Sequence, residues 1–164
     1  MKKENKSKPR LQIIRGLPGS GKTTLSLERY SNLMRLETDM YFSREGEYRF
    51  TLELNKKAVD WFIEETAHVA NTGMDFVLIG VFAAHTERLD KVIQIGIDNG
   101  YDVYVHTLID SHGSVHGVPE EHLNAMRESF VNEEQLKEQY ADKAMVHFGL
   151  MDNEYPLAHV KQQH

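Results

Sequence analysis

The chain contains no cysteine, which excludes disulfides, cysteine-ligated zinc and the disulfide scaffold on which small secreted domains rely. Only four prolines occur, and no Pro-, Gly- or Ser-rich tract divides the 164 residues into two cores. Long hydrophobic runs are also missing. The most apolar stretch, Phe76 to Ala84, is about half the length a membrane-spanning helix needs, so it reads as a buried strand. There is no excess of positive charge: the net charge is −6, which argues against a surface that holds long nucleic acid by neutralising its phosphates. Five of the first ten residues are Lys or Arg, but no apolar segment of a secretory signal follows them. With nothing pointing to export or a membrane, a cytoplasmic location is expected.

What is present is ordinary globular composition, 40% apolar and 27% charged. The expected organisation is a solvated basic tail at 1–10, one domain at 11–150 and a C-terminal tail at 151–164. No internal repeat or low-complexity tract is visible.

Strand and helix patterns alternate along the domain, as in a parallel sheet covered by helices on both faces. Leu11 to Arg15 is short and apolar and runs into a Gly-rich turn, followed by a helix from Lys22 to about Tyr30. Leu33 to Thr38 reads as the second strand, with Asp39 at its C-terminal end. After a polar stretch, Tyr41 to Phe50, a helix is expected from Leu54 to Asn71, with Ala58, Trp61, Phe62, Glu65 and Val69 on one face. Asn71-Thr72-Gly73 stops it.

Phe76 to Phe82 has the continuous apolarity of a central parallel strand. A helix over His85 to Asp98 turns Leu89, Val92, Ile93 and Ile97 inward and closes at Asn99-Gly100. Tyr101 to Ile109 is the fourth strand. Asp110 to Val118, rich in Gly and His, is a loop, and Pro119 opens a helix to about Phe130. A further helix runs from Asn132 to near Lys143, and Ala144 to Leu150 adds an edge strand. The expected fold is therefore α/β, a doubly wound parallel sheet of four to five strands with helices on both faces and a short lid, and the glycine-rich segment Gly16 to Thr23, a match to G-x-x-x-x-G-K-[ST], makes it a P-loop NTPase.

Gly16-Leu17-Pro18-Gly19-Ser20-Gly21-Lys22-Thr23 matches G-x-x-x-x-G-K-[ST] in full, and it stands between a strand and a helix as its chemistry requires. The glycines let backbone N–H groups turn inward around a β-phosphate, and the helix N-terminus adds a favourable dipole. Gly16, Pro18, Gly19, Ser20, Gly21, Lys22, Thr23 and Thr24 are thus the candidate nucleotide-binding residues. Lys22 bridges β- and γ-oxygens in such a site, and Thr23 offers its hydroxyl to Mg²⁺. The expected ligands are ATP or GTP with Mg²⁺.

Beyond the Walker segment the chain resembles the polynucleotide-kinase-like branch of the P-loop kinases. The resemblance rests on Arg15 to Thr24, Thr38-Asp39-Met40-Tyr41-Phe42, Gly46-Glu47-Tyr48-Arg49-Phe50 and His116-Gly117-Val118-Pro119-Glu120, in that order over about residues 11–130. It implies that Asp39 accepts the proton of the attacking hydroxyl, a position consistent with ligands lying outside the C-terminal strand edge of a doubly wound sheet. A metal role for Asp39, or a turn-capping one, is the alternative.

Two departures from the branch stand out. Gly80-Val81-Phe82-Ala83-Ala84 lacks the acid that usually ends the third strand, and Ser111 to Val115 lacks the lid's permanent cation. Positioned positive charge carries much of phosphoryl transfer, so another cation is needed or transfer is slow. Arg44, Arg49 and Arg127 are candidates beside the bland reading of each as a solvated surface residue. His112 or His116 can serve only when protonated. His112, His116 and His122 also invite a zinc site, but no carboxylate or cysteine set accompanies them and a lid is the simpler reading.

Three functions follow. The first is a kinase acting on a nucleic-acid end, a nucleotide or a modified base. The second is a small-molecule P-loop kinase, which the acidic surface favours. The third is a nucleotide-binding module with little transfer.

Overall fold

The computed structural model describes residues 8–16, 21–37, 40, 52–80, 82, 86–108, 121 and 133–151. Within them the chain alternates strand and helix: β1 (Arg10–Gly16), α1 (Lys22–Arg29), β2 (Met34–Glu37), α2 (Leu52–Thr72), β3 (Phe76–Gly80), α3 (Thr86–Asp98), β4 (Asp102–Leu108), α4 (Glu133–Gln139) and β5 (Val146–Met151). The strands form one five-stranded sheet in the order β2-β3-β1-β4-β5, with every neighbouring pair parallel. This is the doubly wound P-loop architecture expected, with the edge strand β5 included. Arg10, grouped with the basic tail on sequence grounds, is the first residue of β1, and the Pro9 carbonyl accepts a hydrogen bond from Asp102 N (3.0 Å).

Side chains alternate across each strand, so each face of the sheet collects its own helices. The row Leu36, Leu78, Ile13 and Val105 faces α2, α3 and α4, and packs with Phe62, Val69, Leu89, Val92, Ile93 and Leu136 in the larger core. The next row, Glu37, Ile79, Ile14 and His106, faces the other way, where Leu25 of α1 joins Ile14, Val77, Ile79 and Leu108. Full burial of such a side chain contributes about 1.5–3 kcal/mol relative to leaving it in water.

Local rules account for the helix ends. Asn99-Gly100 ends α3 as expected: Gly100 takes φ +82°, Tyr101 N bonds Gly96 O (2.9 Å) and Gly100 N bonds Ile97 O (3.1 Å), the paired bonds of a Schellman cap. The inner face of α2 differs by one residue from expectation. Thr66, not Glu65, is fully buried, because its hydroxyl satisfies itself on the Phe62 carbonyl one turn earlier (2.8 Å), whereas Glu65 stays half-buried beside the exposed His68.

β3 is shorter than its apolar run. The strand ends at Gly80, and Phe82 has a left-handed backbone (φ +44°) while its ring packs back against Phe62. That ring lies over Gly80 so closely that a methyl group there would sit 2.6 Å from Phe82 Cε2, so any larger residue would force the ring to move. The apolar continuity from Phe76 to Phe82 reflects burial of the Phe82 ring as well as of the strand. The helix expected from Pro119 and the Asp110 to Pro119 lid lie outside the described residues, apart from Glu121.

On the α1 face, His106 Nε2 lies 2.7 Å from Gln12 Oε1 and 3.3 Å from Tyr30 Oη. Burial, with the Arg29 charge as a second cause, pulls the imidazole down to about 4. The unfolded chain therefore binds this proton first as pH falls, and stability is lost from the ordinary His range near 6.5 down to about 4. Thermal melts should show wild type losing more stability than His106→Gln between pH 7 and pH 4, by up to about 3 kcal/mol. Parallel pH dependence in the two proteins would mean that the ring is free to protonate in the fold.

Candidate active site

All five strands point the same way, so their C-terminal ends share one edge: Gly16 lies opposite Leu108, Arg15 opposite Gly80, and Glu37 opposite Ile79. The Walker junction leaves the sheet from the central strand at this edge. Gly21 caps α1 with a left-handed backbone (φ +92°), a conformation costly for any residue with a Cβ, and its carbonyl accepts Leu25 N (2.9 Å) to start the helix. The first two residues of α1 are Lys22 and Thr23, so helix formation itself delivers the ammonium and the hydroxyl to the strand edge.

Lys22 Nζ turns back to donate to Gly16 O at 2.9 Å, closing the junction across its base. Thr23 Oγ1 donates to Glu37 Oε1 at 3.2 Å, and the other carboxylate oxygen of Glu37 accepts from Arg35 Nε at 2.8 Å. The helix start is thereby joined to β2, on the face of the sheet that α1 covers.

On the opposite face, Arg15 is fully buried directly before Gly16. Its Nε donates to the Phe82 carbonyl (3.2 Å) and Nη1 donates to Thr107 Oγ1 (3.3 Å). Burial lowers its pKa to about 10, so the guanidinium remains charged at neutral pH. The side chain ties the end of β1 to Phe82 beyond β3 and to Thr107 near the end of β4.

Of the residues singled out in the sequence, Gly16, Gly21, Lys22 and Thr23 meet at this edge, with Thr24 exposed on the first turn of α1. Pro18, Gly19, Ser20, Asp39, Arg44, Arg49, His112, His116 and Arg127 lie outside the described residues. Two residues of the site were not anticipated. Glu37 had a readable signal, since alternation from the buried Leu36 turns it to the α1 face; Arg15 had only its place before the first glycine. Among the described residues no group of three His, Asp or Glu could hold a metal ion by itself. A cation would instead share the Thr23 hydroxyl with a nucleotide's phosphates, and that hydroxyl already spends its proton on a carboxylate, which leaves its lone pairs for the ion.

The Zeta toxin family model matches residues 1–160. The chain belongs to the Zeta toxin family. Among solved structures, it is similar to one from the PezAT chromosomal toxin-antitoxin system of Streptococcus pneumoniae, with a TM-score of 0.62 and 16% identity over 93% of this chain and 71% of that one. A sugar kinase from Janibacter sp. HTCC2649, in an unliganded structure, gives a TM-score of 0.59 and 17% identity, covering 94% of this chain and 92% of that one. The Pnkp1/Rnl/Hen1 complex gives 0.52 and 16% identity, with 76% of this chain but 40% of that one covered. At such identities the likeness is one of fold, and the fold is that of P-loop kinases. Membership is shown for the Zeta toxin family, while the resemblance to the polynucleotide-kinase-like branch has beside it only the fold likeness to the Pnkp1 complex. No helix among the described residues is long and apolar enough to cross a membrane.

Two outcomes follow for the side chains at the strand edge. Arg15→Lys keeps a charge but lacks the planar fork that serves Phe82 O and Thr107 together, so urea unfolding should show a loss of about 1–3 kcal/mol. An unchanged midpoint would mean that the fork contributes nothing. Lys22→Ala should leave the melting curve intact while removing calorimetrically detectable binding of Mg²⁺-ATP. Equal affinity in mutant and parent would contradict a phosphate site at this edge.

Proposed function

We propose that this Zeta toxin family member is an ATP-dependent phosphotransferase that moves the γ-phosphoryl group onto a hydroxyl of a small polar molecule. The observation that carries the reading is the junction of β1 and α1, where Lys22 folds onto Gly16 O and Thr23 reaches the carboxylate at the end of β2. On binding, Lys22 exchanges the Gly16 carbonyl for β- and γ-phosphate oxygens, neutralising charge that grows as the bridging bond breaks. A Mg²⁺ ion held through Thr23 supplies further neutralisation of the phosphates.

Asp39, two residues beyond Glu37, is the proposed general base. Its carboxylate takes the acceptor's hydroxyl proton, the acceptor oxygen bonds to the γ-phosphorus, and the bond to the β,γ-bridging oxygen breaks to release the nucleoside diphosphate. Arg44, Arg49 and Arg127 are the cations proposed to meet the transferring group, with protonated His112 or His116 as substitutes.

The small-molecule acceptor is favoured by the net charge of −6 and by the likeness to a protein described as a sugar kinase. A second reading, transfer to a nucleic-acid end, draws on the ordered motif segments between Arg15 and Glu120 and on the fold likeness to the Pnkp1 complex. Both require the same Lys22 and Asp39.

Incubation with γ-labelled ATP and separate pools of sugars, nucleotide sugars, nucleosides and 5′-hydroxyl oligonucleotides distinguishes them. Label should enter a small-molecule pool, and Asp39→Asn should lower its transfer by roughly 10²–10⁴ with little change in ATP affinity. Label confined to oligonucleotides would establish the second reading; label in no pool, with ATP still bound, would leave a binding module.

A further inference from the structure

We infer that Glu37 is the residue that positions Thr23 for the metal of a bound nucleotide, a duty that falls to β2 because β3 ends without an acid. The inference rests on the reading of Lys22 and Thr23 as a nucleotide site, and it adds a residue that neither the Walker motif nor the ordered segments single out.

Three observations converge on it. Alternation along β2 buries Leu36 in the larger core and sends Glu37 to the face where α1 begins. There the two carboxylate oxygens have different tasks, Oε2 accepting from Arg35 Nε at 2.8 Å and Oε1 accepting the Thr23 proton at 3.2 Å. With 16% of its side chain exposed and one oxygen anchored, Glu37 is held in one orientation, and Thr23 has its only proton directed away from the phosphate side.

The end of β3 is closed to this role. Gly80 has no side chain, the Phe82 ring occupies the space where one would grow, and Ile79 before it is buried in apolar contacts. No cluster of three potential ligands exists among the described residues, so of these it is Thr23 whose orientation would bear on metal affinity beside the phosphates. Mg²⁺ keeps most of its waters in such sites, and a group that orients one of its ligands affects affinity by about 10–100-fold.

Calorimetric titration of ATP into the full chain, once with Mg²⁺ and once with EDTA, isolates this contribution. In the wild type Mg²⁺ should tighten binding. Glu37→Gln should lose about tenfold or more of that gain while EDTA affinity stays equal or improves, because the neutral amide no longer repels the phosphates. Thr23→Ala should lose the same gain, and the double variant should be no worse than Thr23→Ala alone. Arg35→Met, which removes the anchor on Oε2 but leaves Oε1 free to accept from Thr23, should lose part of the gain and less than Glu37→Gln does.

Retention of the full Mg²⁺ effect in Glu37→Gln, with Thr23→Ala defective, would overturn the inference and leave the phosphotransferase reading standing. Equal loss with Mg²⁺ and EDTA would overturn it too, by making Glu37 a structural residue. If Glu37→Gln does not fold, full retention of the Mg²⁺ effect in Glu37→Asp, whose shorter side chain withdraws from Thr23, has the same force. A wild type that binds no ATP under either condition would remove both readings.

Discussion

The site depends on the central strand being held from both sides. Leu11, Ile13 and Ile14 of β1 are wholly buried, and β1 pairs with β3 on one edge and β4 on the other. With both rows of backbone groups committed, the end of β1 has no freedom to move against Gly80 or Leu108. The glycine junction that follows begins from a fixed point. Lys22 and Thr23 inherit that precision because Gly21 starts α1 directly before them, and the Gly16 carbonyl and the Glu37 carboxylate receive them at 2.9 and 3.2 Å. Catalytic positioning relies on such support, since small displacements of reacting groups are costly in rate.

Buried polarity reinforces the same edge. Arg15 sits where an apolar residue would serve packing equally well, and withdrawing a guanidinium from water costs several kcal/mol before its bonds are counted. Its bonds to Phe82 O and Thr107 join three strand ends, and it holds the left-handed Phe82 that covers Gly80. The apolar ring at this point and the acid carried by β2 are two sides of one arrangement: the contact to Thr23 comes from Glu37 across the α1 face, while the end of β3 is given over to packing.

Much of this could be read from the chain because much of it is local. A short apolar run marks β1, helical apolar spacing marks α3, alternation marks β4, and Asn99-Gly100 encodes its own cap. The Walker segment is legible as a pattern of eight consecutive residues. What could not be read depends on distant partners: Arg15 meets residues 67 and 92 positions away, and Thr23 meets Glu37 across 14 positions, so no short window contains the interaction. Strand order is non-local for the same reason. The overlong β3 and the choice of Glu65 over Thr66 share a different cause, since apolar character marks burial without stating backbone conformation, and a threonine that bonds its own helix is as easily buried as a hydrocarbon. The motif order that resembles the polynucleotide-kinase-like branch reaches the level of the kinase fold, and membership of the Zeta toxin family comes from the match along residues 1–160.

All of the proposed chemistry requires that the edge formed by Gly16, Lys22, Thr23 and Glu37 be a nucleotide phosphate site. A crystal structure of the full chain with Mg²⁺ and a non-hydrolysable ATP analogue tests it most directly. The triphosphate is expected along the 16–23 junction, with Lys22 Nζ moved from the Gly16 carbonyl to β- and γ-phosphate oxygens and Thr23 Oγ1 on the metal. A nucleotide bound elsewhere, with Lys22 still on Gly16 O and Thr23 away from the metal, would contradict it.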